Sequence, residues 1–150
     1  MSNSLYITSI ESRSGKAVAA LGFMEQLSGR LKSVSVFRPV IAEGSGPDRV
    51  IALLTDFYHL GFPAEDLYGV THDAARTLLS AGKYDELHSR ILEKYKALES
   101  RCDFVLCVGT DYTGVSTALE FDFNVTAPST SKTTRSRWRT TGQASTSWRA

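Results

Sequence analysis

We predict an α/β protein, a parallel sheet with helices on both faces, for this chain of 150 residues. Short apolar segments alternate with longer segments in which apolar residues recur every three or four positions, a pattern typical of buried strands joined by amphipathic helices. The first apolar segment also leads through a loop of small residues into Gly15-Lys16 and a helical pattern, as in a P-loop. The length is that of a single domain.

The chain begins with this strand–loop–helix unit. Residues 5–9 are apolar and β-prone and predict a short buried strand. From Gly15 to Leu31 the apolar side chains follow helical spacing. We expect Gly29 to weaken the last turn of this helix.

A second strand and a second helix follow. Val34–Phe37 is apolar and β-branched, and we expect Pro39 to end this strand. After a loop rich in Gly and Pro at residues 43–47, Asp48 is placed to cap a helix that ends near His59.

The remaining elements complete the alternation. Residues 64–70 include a short strand, and Thr71 opens a helix that ends near Gly82. A longer helix with one apolar stripe starts at Lys83, and residues 102–108 form the last predicted strand.

Gly15 and Lys16 are the first candidate phosphate-binding residues. A helix N-terminus offers backbone N–H groups to a phosphate, and the lysine adds charge. Arg13, inside the loop, is a further candidate because a guanidinium binds phosphate oxygens in pairs. The alternative is that Lys16 is a solvent-exposed lysine in the first helical turn. Ala17 stands where a Ser or Thr hydroxyl holds Mg²⁺ in a complete P-loop.

Two further residues follow predicted strands, where α/β folds gather their ligand groups. Arg38 is either a phosphate ligand or a solvated arginine before a proline turn. Asp111 either lies near a magnesium ion or caps the next helix near Thr113. The three His and two Cys lack the spacing of metal ligands, and we predict no metal site.

Several segments occur in the order seen in one known family. They are Tyr6–Ser9, Ser14–Lys16, Ala20–Gly22, Val36–Val40, Tyr68–Thr71, Leu79–Leu87, Cys102–Leu106, Val108–Gly114 and Glu120–Asn124. Over about residues 4–125 the chain thus resembles the N-terminal part of long-form bacterial phosphate acetyltransferase. In that family this part is similar to dethiobiotin synthetase, a P-loop ligase. The family's acetyl transfer between acetyl-CoA and phosphate belongs to a separate C-terminal domain.

The resemblance implies a regulatory and oligomerisation portion of the transferase, with no catalytic residue for acetyl transfer. It also implies a homo-oligomer in the full-length family and leaves room for a small-molecule effector. We carry over Gly15, Lys16, Arg13 and Arg38 as a degenerate phosphate site, with ATP or another nucleotide as its candidate ligand.

The chain departs from the ligase pattern at four positions, which argues against ATP-driven ligation. Ser9 replaces the first loop glycine, Ala17 the hydroxyl residue, Val108 an expected magnesium-binding Glu, and Arg38 a lysine. Two alternatives nevertheless stay open: an ATP-dependent ligase of the dethiobiotin synthetase kind, and a stand-alone nucleotide-sensing module.

The composition changes abruptly after residue 125. Residues 126–150 hold 12 Ser or Thr, no Ile, Leu, Val, Met or Phe, and a net charge of +5, against −4 for residues 1–125. We expect a P-loop domain at 1–125 and a disordered tail at 126–150. The family pattern continues beyond Asn124 with an apolar strand, so we hypothesise a frame shift or truncated reading frame near Val125 and an incomplete domain.

The overall composition narrows the function classes. With 42% hydrophobic and 22% charged residues, no apolar run long enough for a bilayer and no readable signal peptide, we predict a cytoplasmic protein without a membrane partner. The two cysteines are then buried or half-buried thiols in a reducing compartment. Basic and aromatic residues in the tail are a candidate single-strand nucleic-acid patch. Because the rest of the chain is net negative, we expect no nucleic-acid partner.

Overall fold

The computed structural model describes residues 3–7, 15–44 and 46–109. Within these ranges the chain forms four strands and four helices. In chain order they are β1 (Asn3–Ile7), α1 (Lys16–Ser28), β2 (Val34–Ile41), α2 (Arg49–Tyr58), β3 (Tyr68–Thr71), α3 (His72–Ser80), α4 (Tyr84–Glu99) and β4 (Phe104–Val108). A short 3₁₀ turn, Ala64–Asp66, precedes β3.

The four strands form one parallel sheet in the order β1-β4-β2-β3. The connections from β1 to β2 and from β2 to β3 run in one direction across the sheet, and the connection from β3 to β4 runs back. Because such crossovers are right-handed, this reversal places α1 and α2 on one face and α3 and α4 on the other. Helix α1 accordingly contacts α2, and α3 contacts α4. The predicted parallel α/β sheet is confirmed.

Both faces of the sheet are covered by buried helix residues. On the face of α4, the Phe37 ring of β2 packs edge-on against Tyr95, with 5.6 Å between ring centroids. The hydrophobic helix residues that are buried are Ala20 and Met24 of α1, Ile51 and Leu54 of α2, Ala75 and Leu78 of α3, and Leu87, Ile91, Tyr95 and Leu98 of α4.

Strand β2 does not end at Pro39, and that prediction is wrong. The strand runs through the proline to Ile41. The Arg38 amide donates to the Leu67 carbonyl on the β3 side, so position 39 points toward β4. The pairing of β2 with β4 ends at Phe37↔Cys107, so no ladder hydrogen bond is lost by placing proline there.

Three other boundaries differ by a few residues. Helix α1 stops at Ser28 rather than Leu31. The Gly29 amide donates to the Leu27 carbonyl, so the backbone departs from the α-helical hydrogen-bond pattern at this residue. Strand β4 begins at Phe104, two residues later than predicted. Strand β1 begins at Asn3, and residues 8–9 of the predicted strand lie outside the described residues.

The helix caps were predicted more accurately. Asp48 caps α2 as expected, and the Thr71 hydroxyl accepts from the Ala74 amide at the start of α3.

The predictions for Arg13, for Asp111 and for the tail at 126–150 fall outside the described residues. The described ranges contain no helix with the length and apolar character that a bilayer crossing requires.

Candidate functional site

Gly15 forms the junction between the loop and helix α1. It is the N-cap residue and has a left-handed backbone, with φ of 76°. Glycine adopts this conformation without steric strain, whereas other L-residues do not. The Gly15 carbonyl accepts from the amides of Val18 and Ala19, which fixes the first turn. The remaining N-terminal amides and the helix dipole make this turn suitable for an anion.

Lys16 is the first residue of α1 and is only 7% exposed. A side chain this buried is not the solvent-exposed lysine of the alternative interpretation. The side chain is instead enclosed by the rest of the molecule. Ala17 follows it and has no hydroxyl with which to bind a metal ion.

Arg38 is a buried residue of β2 that bridges to two other elements. Its Nη1 donates to Asp48 Oδ2 at 2.6 Å, and its Nη2 donates to the Gly109 carbonyl at 3.3 Å. The Arg38 and Asp48 side chains are each 6% exposed. This environment excludes the solvated arginine of the alternative interpretation.

Asp48 uses both carboxylate oxygens. Oδ1 accepts from the amides of Val50 and Ile51, at 3.0 and 3.1 Å, and so caps α2. Oδ2 accepts from Arg38. One carboxylate therefore joins β2 to the N-terminus of α2 and satisfies two amides that have no partner within the helix.

The Arg38 guanidinium is incompletely satisfied. Its Nε is buried and has no hydrogen-bond partner among the described residues. A buried donor without a partner is unfavourable by about 1–3 kcal/mol. Such a group in a native fold points to strain, to a bound water or to a ligand.

Gly109 connects Arg38 to β1, the strand that precedes the Gly15–Lys16 junction. The Gly109 amide donates to the Ile7 carbonyl at 2.8 Å, and its carbonyl accepts from Arg38. A line of contacts thus runs along the carboxyl edge of the sheet, from the end of β1 through the end of β4 to Arg38 and Asp48. This edge is where parallel α/β sheets bind ligands.

The groups that would hold magnesium are lacking at two positions of this edge. Val108 ends β4, is 1% exposed and pairs with Ile7, so its apolar side chain is part of the core. Ala17 offers only a methyl group. Among the described residues, no group of three or more His, Cys, Asp or Glu is arranged to hold a metal ion. The residues in this part of the chain therefore do not fit a P-loop magnesium site.

A cleft of about 300 Å³ lies beside Asp48, at the carboxyl ends of β2 and β3. Ile41, Asp48 and Ile51 line one part of it, and Tyr68 and Thr71 another. The N-terminus of α2 is therefore one wall of a surface cavity.

Sequence reasoning singled out Gly15, Lys16, Arg38 and Arg13 as phosphate ligands, and that role stays a prediction. The helix α1 that begins at Lys16 and the strand β2 that carries Arg38 both place these residues toward the carboxyl edge of the sheet, whereas Arg13 lies outside the described residues. Sequence reasoning missed the pairing of Arg38 with Asp48, although both residues were singled out separately. The sequence did carry a signal for this pair. An arginine at the end of a strand and an aspartate that caps the next helix lie at the same edge of the sheet when one short loop joins the two elements.

The fold and the glycine–lysine junction define a P-loop-like α/β domain. The chain belongs to the AAA domain family, whose model matches residues 3–127. This match covers all of the described residues.

Two relatives are phosphate acetyltransferases, and the similarity is to their N-terminal region. The enzyme of Nitratidesulfovibrio vulgaris is 43% identical over 126 residues, and that of Synechocystis sp. is 36% identical over 129 residues. These alignments cover 83% and 84% of this chain but 18% of each relative. The chain therefore spans about a fifth of the length of these enzymes, and its resemblance to them is confirmed.

A weaker similarity links the chain to a ligase. The ATP-dependent dethiobiotin synthetase of Sulfurovum sp. is 30% identical over 114 residues, covering 71% of this chain and 54% of the relative. No solved structure shows a significant match.

Proposed function

We propose that the chain is a regulatory and oligomerisation portion of a phosphate acetyltransferase, with a phosphate loop that binds a nucleotide without consuming it. The identity of 43% and 36% to two phosphate acetyltransferases, over more than four fifths of the chain, carries this proposal. The reaction of acetyl-CoA with phosphate, giving acetyl phosphate and CoA, is then carried out by other parts of that enzyme.

The binding half of the proposal is supported by the first turn of α1. Gly15 is the N-cap, where an added Cβ would meet no described atom within 4 Å, and Lys16 supplies a positively charged residue at the first helical position. Arg38 lies at the same edge of the sheet. These groups suit the phosphates of ATP or of another nucleotide.

The non-catalytic half is supported by Ala17 and Val108. A P-loop enzyme holds Mg²⁺ through a hydroxyl after the lysine and an acidic group near a strand end, and the ion neutralises charge on the transferred phosphoryl group. Ala17 and Val108 provide neither group. We therefore expect nucleotide binding without ATP-driven chemistry.

The second candidate function is that of an ATP-dependent ligase, which the 30% identity to a dethiobiotin synthetase favours. A ligase of this kind releases phosphate from Mg-ATP, whereas a nucleotide-binding portion of the transferase does not. Phosphate release above the rate of a Lys16→Ala control would favour the ligase and reject our proposal.

Two assays on the purified chain test the proposal directly. We expect no acetyl phosphate from acetyl-CoA and phosphate, and calorimetric binding of ATP in EDTA. Lys16→Ala should weaken ATP binding by about tenfold or more, because a charge-assisted contact is lost. Lys32→Ala, an exposed lysine beyond the other end of α1, is the matched control. Acetyl phosphate formation, or equal ATP binding by wild type and Lys16→Ala, would contradict the proposal.

Oligomerisation is supported by an apolar surface on α2. Leu53 and Phe57 lie one helical turn apart and are 42% and 64% exposed. We expect Phe57→Glu to lower the association state measured by sedimentation equilibrium. Tyr84→Glu, an exposed aromatic at the start of α4 on the opposite face, is the control and should leave it unchanged. A monomeric wild type would contradict this part of the proposal.

A further inference from the structure

The segment that joins α2 to β3, residues 60–66, crosses the surface of the fold without a fully buried residue. Three of its residues are half-buried and the other four are exposed. It begins after His59, whose left-handed backbone (φ of 51°) ends α2, and it leads into the fully buried Leu67. Two of its half-buried residues, Leu60 and Phe62, pack against the core. The rest of this segment is therefore held less firmly than its two ends.

Lys94, an exposed residue of α4, holds the part of the segment that leads into β3. Its Nζ donates to the Glu65 carbonyl at 3.1 Å. The same ammonium lies 4.7 Å from the centroid of the Tyr68 ring, within the range of a cation–π interaction. One flexible side chain thus binds both the segment and the first residue of β3.

Arg101, two residues beyond the end of α4, holds the segment at two further points. Its Nη1 donates to Asp66 Oδ2 at 2.6 Å, and its guanidinium lies 5.0 Å from the centroid of the Phe62 ring. The Arg101 and Asp66 side chains are 49% and 37% exposed, so water weakens their attraction. Contacts of this kind can open while the rest of the fold stays intact.

The segment also forms part of the wall of two clefts. Ala64 and Glu65 line the cleft beside Asp48. Residues 60–62 line a second cleft of about 450 Å³, next to the C-terminal ends of α1 and α2. Movement of the segment therefore changes the shape of both clefts.

We propose that residues 60–66 form a movable strap, which Lys94 and Arg101 hold closed and which opens without global unfolding. Opening releases both cations from the strap, unwinds its 3₁₀ turn and removes the wall that it gives to each cleft. Access to both clefts then depends on the same motion. The strap does not involve the Gly15–Lys16 junction, so it stands or falls independently of the proposed function.

The test is hydrogen exchange at the Asp66 and Leu67 amides, measured by NMR on the full chain. Both amides donate to carbonyls three residues earlier in the strap, so they exchange when its turn unwinds. In the double variant Lys94→Met/Arg101→Met, exchange at both amides should be about tenfold faster than in the wild type. Two cation–π contacts and an ion pair are then lost from the closed strap but not from the open one.

Lys83→Met/Arg90→Met is the matched control. Both residues are exposed cations that pair with Glu86 of α4, so the variant removes the same number of charges without touching the strap. These pairs persist when the strap opens. Exchange at the two strap amides should therefore stay at the wild-type rate.

Urea separates the opening of the strap from global unfolding. At low urea concentrations, wild-type exchange at Asp66 and Leu67 should change little, because opening the strap exposes little surface. Exchange at the Leu106 amide, in the central strand β4, should instead rise steeply with urea. This comparison uses the wild type alone and does not depend on the folding of any variant.

Three results would overturn the strap. The first is equal exchange at its two amides in the wild type and in the folded Lys94→Met/Arg101→Met variant. The second is a urea dependence at these amides as steep as that at Leu106. The third is an equal acceleration in the Lys83→Met/Arg90→Met control, which would show that the loss of charge, rather than of contacts with the strap, changes the exchange.

Discussion

At the scale of single residues, the buried pair of Arg38 and Asp48 is the least replaceable interaction of the described site. Breaking a buried ion pair by removing one partner leaves an uncompensated charge, which costs about 3–5 kcal/mol. An exposed pair of the same length contributes far less, because water screens it. The contribution of an ion pair to the free energy of unfolding thus depends on its burial rather than on its bond length.

We therefore expect Arg38→Met to lower the free energy of unfolding by about 3–5 kcal/mol in urea denaturation. Arg90→Met is the control, since Arg90 makes a 2.6 Å bond to Glu86 on the exposed face of α4. Its effect should be much smaller, because water screens an exposed ion pair. Equal effects of the two substitutions would show that Arg38 is not a buried partner of Asp48.

Gly69 gives a second prediction for a single residue, based on the lack of room for a side chain. A Cβ at this position would lie 2.5 Å from the Pro39 carbonyl oxygen and 2.9 Å from Ile91 Cγ1. Because backbone cannot yield as a side-chain tip can, Gly69→Ala should destabilise the protein by about 1–3 kcal/mol or more. Gly22→Ala, in a helix with open space around it, should instead stabilise by about 0.5–1 kcal/mol. A neutral Gly69→Ala in urea denaturation would contradict the packing of β3 against α4.

The two cysteines give a prediction on reactivity. Burial, together with the nearby carboxylates of Asp103 and Glu99, raises the pKa of the Cys102 thiol to about 11. Burial raises the pKa of Cys107 as well. Since the thiolate is the reactive form, native thiols should react with iodoacetamide at pH 8 about a hundredfold more slowly than in urea.

The labelling rate of Cys102 and the stability of the protein should both depend on pH. The Cys102 rate should rise between pH 9 and pH 11, as the thiol ionises in the native state. In that range the unfolded thiol is already ionised, so its contribution lowers stability as the pH rises. Native labelling at the unfolded rate at pH 8 would contradict the described burial.

Much of the residue-scale detail was accessible from the sequence. Gly15 and Asp48 have local roles, a left-handed junction and a helix cap, which depend on near neighbours in the chain. The pairing of Arg38 with Asp48 was missed, although the ten-residue spacing carried a signal, because it also depends on how far β2 extends and where α2 begins. Pro39 concealed the full length of β2, because a proline suggests that the strand ends earlier.

At the scale of elements, α4 supplies most of the buried helix surface on its face. We expect Leu87→Ala, at a fully buried position, to lower the free energy of unfolding by about 2–5 kcal/mol. Leu53→Ala on α2 removes the same atoms from a 42% exposed position. It should change stability by less than about 1 kcal/mol. Urea denaturation of both variants checks this, and a small effect at Leu87 would contradict the packing of α4 on the sheet.

The elements themselves were predictable, whereas their ends were less so. The apolar pattern and the helix-capping residues are properties of each segment, and together they predicted the four helices and four strands of the described residues. The ends depend on neighbours in space: β2 continues through Pro39 because its partner β4 has already stopped pairing at Cys107. A single sequence does not specify that partner.

At the scale of the whole molecule, the strand order brings the functional groups together. Placing β4 between β1 and β2 puts Gly109 next to both Ile7 and Arg38. The alternation of strands and helices predicted a parallel sheet but not this order, which is decided by packing and crossover direction. The resemblance to phosphate acetyltransferase identified the family more specifically than the P-loop alone, and comparison with those enzymes confirms it.

We propose that this domain binds a phosphate group through the Gly15–Lys16 junction without a metal ion. Calorimetric titration with ATP, once in EDTA and once in excess Mg²⁺, tests it most directly. Because Ala17 and Val108 provide no metal ligands, we expect dissociation constants within about twofold of each other. Binding that requires Mg²⁺, or that tightens tenfold or more when Mg²⁺ is added, would contradict it.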